Sequence, residues 1–174
     1  SSHAIDRQFE QMHPYRIRPL TLEDREFLWE IVYHAIHVPQ GVEPPPRSLV
    51  HEPDVAKYVR EWGRYGDYGL VVKDRVTGER IGAAWLRLFT ETDPGYGFVA
   101  DNVPELSIAL LPEFRGQGIG TELMNRIFEH ARTLHPAVSL SVVETNPALR
   151  LYERLGFQRV GITGNSVTAT LRFD

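Results

Sequence analysis

The sequence contains no cysteine, no long apolar run and no block of basic residues. The absence of cysteine excludes disulfide bonds, thiolate metal sites and a cysteine nucleophile, so any acyl transfer must be direct or use another residue. No stretch of about eighteen apolar residues occurs, which predicts that the chain neither spans nor partners a membrane. The formal net charge is −4, and Lys and Arg occur singly or in scattered pairs. This distribution argues against a nucleic-acid partner.

Length and composition predict a single domain. The 174 residues show no repeat and are 42% hydrophobic, which is enough to form an ordinary core. We assign the domain to residues 15–174 and residues 1–14 to an N-terminal extension or cloning remnant. The start at Ser1 lacks the charged and then apolar pattern of a secretion signal, so we expect a cytoplasmic protein.

A glycine-rich segment joins a predicted strand to a predicted helix. Residues 105–111 form an apolar run of strand length that ends at Pro112, and apolar residues then recur at nearly helical spacing over 119–134. Between them stand Gly116, Gly118 and Gly120. Glycines let consecutive backbone N–H groups point outward, and the helix dipole adds positive potential at the first turn. An anion is therefore expected at this loop.

The spacing of the glycines distinguishes this loop from two known kinds of anion-binding loop. A nucleotide-hydrolase phosphate loop ends in Gly-Lys-Ser or Gly-Lys-Thr, and a dinucleotide loop reads Gly-x-Gly-x-x-Gly. Here Gly118 is followed by Ile-Gly-Thr, which matches neither pattern. The strand–helix–strand pattern that accompanies such a loop in a dinucleotide-dependent oxidoreductase is also missing from this sequence. A plain glycine-rich turn that starts a helix remains an alternative.

Two segments resemble the signatures of the GNAT N-acetyltransferase superfamily. Arg115-x-x-Gly118-x-Gly120 is similar to its acyl-coenzyme A loop. Residues 146–157, Asn-Pro-Ala-Leu-Arg-Leu-Tyr-Glu-Arg-Leu-Gly-Phe, resemble its second signature, with one residue fewer before the Tyr. The two occur in the expected order. The resemblance covers about residues 15–173, and its specific part is 104–157.

The order of predicted elements is that of a mixed α/β (α+β) protein. A first strand at 15–18 precedes a helix that starts at a capping box of Thr21 and Asp24, and a second helical pattern covers 55–62. Further strands are predicted at 69–73, 80–89, 105–111, 140–143, 157–161 and 166–173, with helices at 119–134 and 146–155. The resemblance implies the GNAT fold, a central, mostly antiparallel sheet splayed between strands 4 and 5 and flanked by about four helices.

The resemblance also implies a cofactor site for acetyl-CoA. The backbone of Ile108, Ala109 and Leu110 would pair with the pantetheine arm and offer an N–H to the thioester oxygen. The loop would hold the pyrophosphate through Arg115, Gly116, Gln117, Gly118, Ile119, Gly120 and Thr121. Asn146 would bind the pantetheine arm, and Tyr152 would be the general acid. Taken singly, Asn146 also reads as a helix cap and Tyr152 as a core aromatic.

A general base is required because the attacking amine must lose a proton. Glu105 lies near the start of the cofactor strand, where some relatives place a glutamate. Alternatively, Glu105 is a solvated carboxylate at a strand end, and Glu144 or a water chain serves as the base.

The acceptor site is expected at loops 38–51 and 90–103. Aromatic candidates for acceptor contacts are Tyr33, Trp85, Tyr96 and Phe98, and candidate partners for a cationic amine are Glu43, Glu91, Asp93 and Asp101. His34 and His37 could line the pocket or be structural. His130 and His135 lie five apart, which does not suit a helical metal site, and we predict no metal.

The predicted function is therefore direct transfer of an acetyl group from acetyl-CoA to a primary amine of a small molecule or a protein. The alternative is a GNAT-like sensor or interaction module that binds an acyl-CoA without turnover. A homodimer through the C-terminal strands is common among relatives and is an expectation that only the resemblance supports.

Overall fold

A computed structural model describes Ala4, Gln8 and residues 14–174, so the predicted N-terminal extension lies largely outside the described residues. The described chain forms seven strands: β1 Tyr15–Pro19, β2 Tyr68–Asp74, β3 Arg80–Arg87, β4 Glu105–Leu110, β5 Ala137–Val143, β6 Gln158–Thr163 and β7 Ser166–Arg172. Its α-helices within residues 14–174 are α1 Arg25–Ala35, α2 Pro53–Ala56, α3 Ile119–Ala131 and α4 Ala148–Arg154. Short 3-10 helices cover Leu22–Asp24, Arg47–His51 and Pro112–Phe114.

The strands form one sheet in the order β1-β2-β3-β4-β5-β7-β6. All neighbouring strands are antiparallel except β4 and β5, which are parallel and share a single bridge between Glu105 and Ser139. The Ser139 N–H donates to Pro104 O at 3.0 Å, and beyond this point the two strands separate. The predicted mixed α/β class and the splay between strands 4 and 5 are confirmed.

A hydrophobic core covers each face of the sheet. On the first face, Leu28 and Ile31 of α1 pack with Trp85 of β3 and Ala109 of β4. On the second face, the apolar stripe of α3, which includes Leu123, packs against the other side of the same strands. We call these the α1 face and the α3 face. Because successive strand residues point to opposite faces, β4 directs its odd-numbered side chains to the α1 face and its even-numbered ones to the α3 face.

The second predicted helix is shorter than its apolar spacing indicated. α2 ends at Ala56, and the chain continues to Trp62 in tight turns such as the bond from Tyr58 N to Val55 O, 3.1 Å. Glu61 then adopts a φ of 54° and Gly63 a φ of 110°, left-handed conformations that a helix cannot contain. Tyr58, Val59 and Trp62 are buried and Val55 is partly buried, so the periodicity marked the core rather than a long helix.

Two other boundaries differ from prediction in small ways. The capping box of Thr21 and Asp24 is present, but it starts a 3-10 turn that leads into α1. α3 ends at Ala131, and Leu134, which fits the helical spacing, is 64% exposed beyond its end. Among the described residues, no helix has the length and apolar character needed to cross a membrane.

Candidate active site

A cavity of about 270 Å³ lies where β4 and β5 separate. Leu140, Val142 and Tyr152 line it from the α3 face, whereas Val32 of α1 and Tyr58 line it from the α1 face. The cavity therefore joins the two faces through the opening in the sheet. The opening exists because β4 and β5 share only one bridge.

The glycine-rich loop forms a cradle of backbone N–H groups at the start of α3. Gly116 and Gly118 have φ values of 78° and 82°, and a Cβ on either would meet no atom within 4 Å. No side chain caps α3, and none of the N–H groups from Gly116 to Thr121 donates to another described residue outside the helix. Unpaired N–H groups at the positive end of a helix dipole attract an anion. The loop therefore offers backbone donors to an anion, and a pyrophosphate at this position stays a prediction.

Side chains of the loop hold it against the rest of the domain. Arg115 donates to His34 O at 3.0 Å and to Leu110 O at 3.3 Å. Gln117 accepts a hydrogen bond of 2.8 Å from the Tyr15 hydroxyl, and Ile119 is buried. Arg115 and Gln117 thus fix the loop through their side chains and leave its backbone to face the solvent.

The predicted pantetheine strand has a free edge toward the cavity. The bond from Leu111 N to Ile81 O, 2.8 Å, shows which residues of β4 pair with β3, because antiparallel pairing alternates along the strand. By this alternation Ala109 bonds to β3, whereas the N–H groups of Ile108 and Leu110 point toward β5. The separation of the strands leaves that edge without a partner strand, and Ile108 lines the cavity.

Glu105 is buried at the bottom of the opening, so its interpretation as a solvated strand-end carboxylate is wrong. Its side chain is 4% exposed and accepts hydrogen bonds from the Tyr58 hydroxyl and from Gly97 N, the latter at 3.0 Å. Burial raises the pKa of Glu105 to about 7, although these hydrogen bonds and the charge of Lys57 act in the opposite direction. A carboxyl group with a pKa near neutrality is suited to proton transfer.

Tyr58 holds Glu105 in place, a role that the sequence did not reveal. The Tyr58 hydroxyl donates to Glu105 and accepts from Tyr96 N at 2.7 Å, while Trp85 Nε1 donates to Tyr58 O at 2.9 Å. Burial, followed by the charge of Glu105, raises the pKa of Tyr58, so the phenol stays protonated. A Cβ on Gly95 would collide with both Glu105 and the Tyr58 hydroxyl. That glycine was the available sequence signal, since only glycine permits this close approach.

Tyr152 and Asn146 lie on the opposite, α3 side of the cavity. Asn146 Oδ1 accepts from Ala148 N at 2.9 Å, so the residue does cap α4, and it also lines the cavity. Tyr152 lines the cavity and packs at its edge against Phe157, with ring centroids 6.0 Å apart. Burial raises the pKa of Tyr152 to about 12. The phenol is therefore a protonated donor at neutral pH.

The structure brings only some of the predicted acceptor residues to the cavity. Tyr96 and His37 line it, whereas Trp85 is fully buried and Tyr33 donates to Pro45 O at 2.8 Å. Phe98 packs on the core of the α1 face. The four acidic candidates, Glu43, Glu91, Asp93 and Asp101, are exposed and do not line the cavity.

The remaining candidates also have structural partners or lie elsewhere. His34 Nε2 is 2.9 Å from Glu30 Oε1, one turn earlier in α1. The alternative base Glu144 is exposed, 4.0 Å from Arg159, and outside the cavity lining. In the part of the chain that the structure describes, no three His, Asp or Glu side chains group as metal ligands.

A comparison with protein families identifies this architecture. The sequence model of the acetyltransferase (GNAT) family matches residues 29–157. The chain belongs to the GNAT family. The match contains both the glycine loop and the Tyr152 segment, so this GNAT domain includes the whole candidate site. A search of curated proteins found no significant match.

Solved structures similar to this GNAT chain cover nearly all of it. YncA of Salmonella typhimurium, an acetyltransferase solved with acetyl-CoA, has a TM-score of 0.64 at 21% identity and covers 93% of this chain and 95% of its own. PaiA N-acetyltransferase of Thermoplasma acidophilum, solved with coenzyme A, has a TM-score of 0.65 at 18% identity, with 92% and 100% covered. A spermidine N-acetyltransferase chimera of Vibrio cholerae SpeG and hSSAT has a TM-score of 0.59 at 20% identity, with 92% and 96% covered. At these identities the similarity establishes the fold.

Proposed function

We propose that this GNAT protein transfers an acetyl group from acetyl-CoA directly to a primary amine. The observation that carries the proposal is the pair of proton-transfer groups on opposite sides of one opening. Tyr152 lies on the α3 side, and Glu105 lies on the α1 side. The coenzyme would enter from the α3 side and the amine from the α1 side, and they would meet between β4 and β5.

Backbone groups would make most of the proposed contacts with the coenzyme. The N–H groups of residues 116–121 would hold the pyrophosphate, and the free edge of β4 would pair with the pantetheine arm. The Ile108 N–H points to the same opening and would donate to the thioester oxygen as it gains negative charge. Asn146 would contribute a side-chain contact to the arm. YncA, which has a similar fold, was solved with acetyl-CoA, and this supports acetyl-CoA as the coenzyme.

Glu105 would be the general base. An amine with a pKa of about 10.4 is protonated at pH 7, and freeing it costs about 4.6 kcal/mol, or 1.36 kcal/mol per pKa unit. A carboxylate on the acceptor side removes that proton, directly or through one water, and the freed nitrogen then attacks the carbonyl carbon. Because the Glu105 pKa is about 7, a large fraction of the protein holds the active carboxylate at neutral pH.

Tyr152 would be the general acid. As the tetrahedral intermediate collapses, the C–S bond breaks and the sulfur takes a proton from the phenol. The nitrogen loses its second proton to water as the amide forms, and water returns a proton to the phenol. A thiol has an ordinary pKa of about 8.5, so full transfer from a phenol of pKa near 12 is uphill. We therefore expect Tyr152 to act mainly through a strong hydrogen bond to the departing sulfur.

Two measurements test the proposal and separate it from a non-catalytic acyl-CoA-binding module. Calorimetric titration with acetyl-CoA, with NAD and ATP as controls, should show selective binding of acetyl-CoA. Release of coenzyme thiol should then be amine-dependent in a screen of primary amines. Selective binding with no thiol release from any amine would favour the module, and absence of binding would reject both. A cytoplasmic location and a homodimer stay predictions.

A further inference from the structure

The acceptor side of the cavity is apolar apart from the residues around the base. Aliphatic surface is contributed by Val32, which is buried, by Ile36 and Val55, which are partly buried, and by Ala35, which is exposed. Tyr58 and Tyr96 stack with ring centroids 6.4 Å apart and an interplanar angle of 10°. An aliphatic and aromatic lining favours an acceptor whose body is apolar.

Glu105 is the one carboxylate in the lining of the described cavity. It already accepts two hydrogen bonds and, as the proposed base, it serves the reacting amine. The acidic residues nearest in sequence to the lining loop are otherwise engaged, since Asp93 is bound by Lys57 Nζ at 2.8 Å and Asp101 accepts from Glu91 N at 3.3 Å. No second anion is therefore present in the cavity for another ammonium group.

Lys57 lies outside the lining and is itself paired, with its Nζ 2.8 Å from Asp93 and 3.9 Å from Asp54. Lys57 lowers the pKa of Glu105 through its charge, and its Nζ also donates to Pro94 O at 2.8 Å. A second ammonium in the cavity would lose its hydration without a second carboxylate partner among the described lining residues. A carboxylate on the acceptor would meet no Lys or Arg among the described lining residues, of which His37 alone is a basic side chain.

We propose that the acceptor is a small primary monoamine with an apolar or aromatic body and with no second charged group. This inference rests on the proposed acetyltransferase function and narrows its substrate class. It separates this chain from proteins of the same fold that act on spermidine, which carries several ammonium groups. It also disfavours free amino acids, whose carboxylate lies beside the amine.

Two matched pairs of amines test the inference. Pentylamine and putrescine have the same chain length and differ in a terminal methyl group against an ammonium. 2-Phenylethylamine and phenylalanine differ in the carboxylate. With saturating acetyl-CoA and release of coenzyme thiol as the assay, we expect kcat/KM to be at least tenfold higher for pentylamine than for putrescine and for 2-phenylethylamine than for phenylalanine, because the favoured member of each pair has no second charged group. Equal or lower values for pentylamine and 2-phenylethylamine, including no turnover of either while acetyl-CoA binds, would overturn the inference.

A substitution provides the reverse test. Val55→Glu adds a carboxylate to the apolar side at a half-buried position, and Val76→Glu adds the same group at an exposed hairpin turn as a control. Val55→Glu should lower the pentylamine-to-putrescine ratio at least fivefold, and Val76→Glu should leave it unchanged. Circular dichroism and acetyl-CoA titration show whether each variant is folded and binds. An unchanged ratio in a folded, acetyl-CoA-binding Val55→Glu protein would contradict the inference, whereas loss of acetyl-CoA binding by the unmodified protein would instead contradict the proposed function.

Discussion

Replacing Gly118 by aspartate should remove most of the affinity for acetyl-CoA. Gly118 precedes α3, and a side chain there would project into open space beside the N–H cradle, where the phosphates are expected. If the new carboxylate lies about 5 Å from a phosphate charge, the repulsion is about 0.8 kcal/mol at a dielectric constant of 80 and about 3.3 kcal/mol at 20. These values correspond to roughly fourfold and 250-fold weaker binding per unit of phosphate charge.

The backbone cost of the same substitution must be separated from its charge. Gly118 has a φ of 82°, a conformation that costs a non-glycine residue roughly 1 kcal/mol, although Asp and Asn tolerate it better than most. Gly118→Asn has the same shape without the charge. Gly78→Asp places the same residue at a remote hairpin turn with a φ of 74° and equally open space.

Calorimetric titration with acetyl-CoA at low and high salt measures the effect. Gly118→Asp should bind at least tenfold more weakly than Gly118→Asn, and the difference should shrink as salt screens the repulsion. Gly78→Asp should bind like the unmodified protein. Equal affinities for the Asp and Asn variants at Gly118 would refute the electrostatic reasoning and leave the loop as an ordinary helix start.

Four further outcomes are expected. Tyr152→Phe should lower kcat at least tenfold with little change in acetyl-CoA affinity, because the acid is needed only when sulfur departs; an unchanged kcat would make Tyr152 a packing residue. Glu105→Gln should reduce kcat/KM by roughly 10² at pH 7, the usual contribution of a general base, and should abolish the acidic limb of the pH–rate profile. Tyr58→Phe removes a hydrogen bond that lowers the Glu105 pKa, so that limb, set by a pKa of about 7, should move to higher pH; a shift to lower pH would contradict the pairing. Asp24→Asn should destabilise the fold by about 3 kcal/mol in urea unfolding, because the fully buried carboxylate is bound by Arg18 and Arg80, with the surface change Asp74→Asn as the control.

The pH dependence of stability follows from the same Asp24. Burial opposes its ionisation, but hydrogen bonds from Arg18, Thr21 and Arg80 outweigh that effect and hold its pKa well below the usual value. The folded state therefore binds fewer protons than the unfolded state at acidic pH. The stabilisation from this group should be complete above the ordinary Asp pKa and decline as pH falls below it, and Asp24→Asn should flatten that part of the unfolding curve.

Features fixed by neighbouring residues could be predicted from the sequence. The glycine loop, the cap at Asn146, the capping box at Thr21 and the strand alternation all depend on residues within a few positions of one another. The resemblance to the GNAT signatures added the splay between strands 4 and 5. It also named Asn146 and Tyr152, which the structure places in the cavity lining, while their roles stay predictions.

Contacts between distant residues could not be predicted in the same way. Tyr58 and Glu105 are separated by 47 positions, and Arg115 reaches a carbonyl 81 positions away. No local pattern reports which strand-end carboxylate will be covered, so Glu105 could equally have been solvated. The apolar spacing of 55–62 similarly reflected burial, while the end of α2 at Ala56 and the left-handed Glu61 beyond it left no clear signal in the sequence.

Because β4 and β5 share only the bridge between Glu105 and Ser139, the sheet consists of two hydrogen-bonded parts. Strands β1 to β4 form one hydrogen-bonded leaf and β5 to β7 another, and the leaves are joined mainly by side-chain packing. A ligand arm lying along the free edge of β4 would act as a removable strand that ties the leaves together. At a concentration 100 times its Kd such a ligand would add about 2.7 kcal/mol to the stability of the fold. Hydrogen exchange at the facing edges of the two leaves should then be slower when coenzyme is bound. In this sense the substrate is a temporary structural part of the protein.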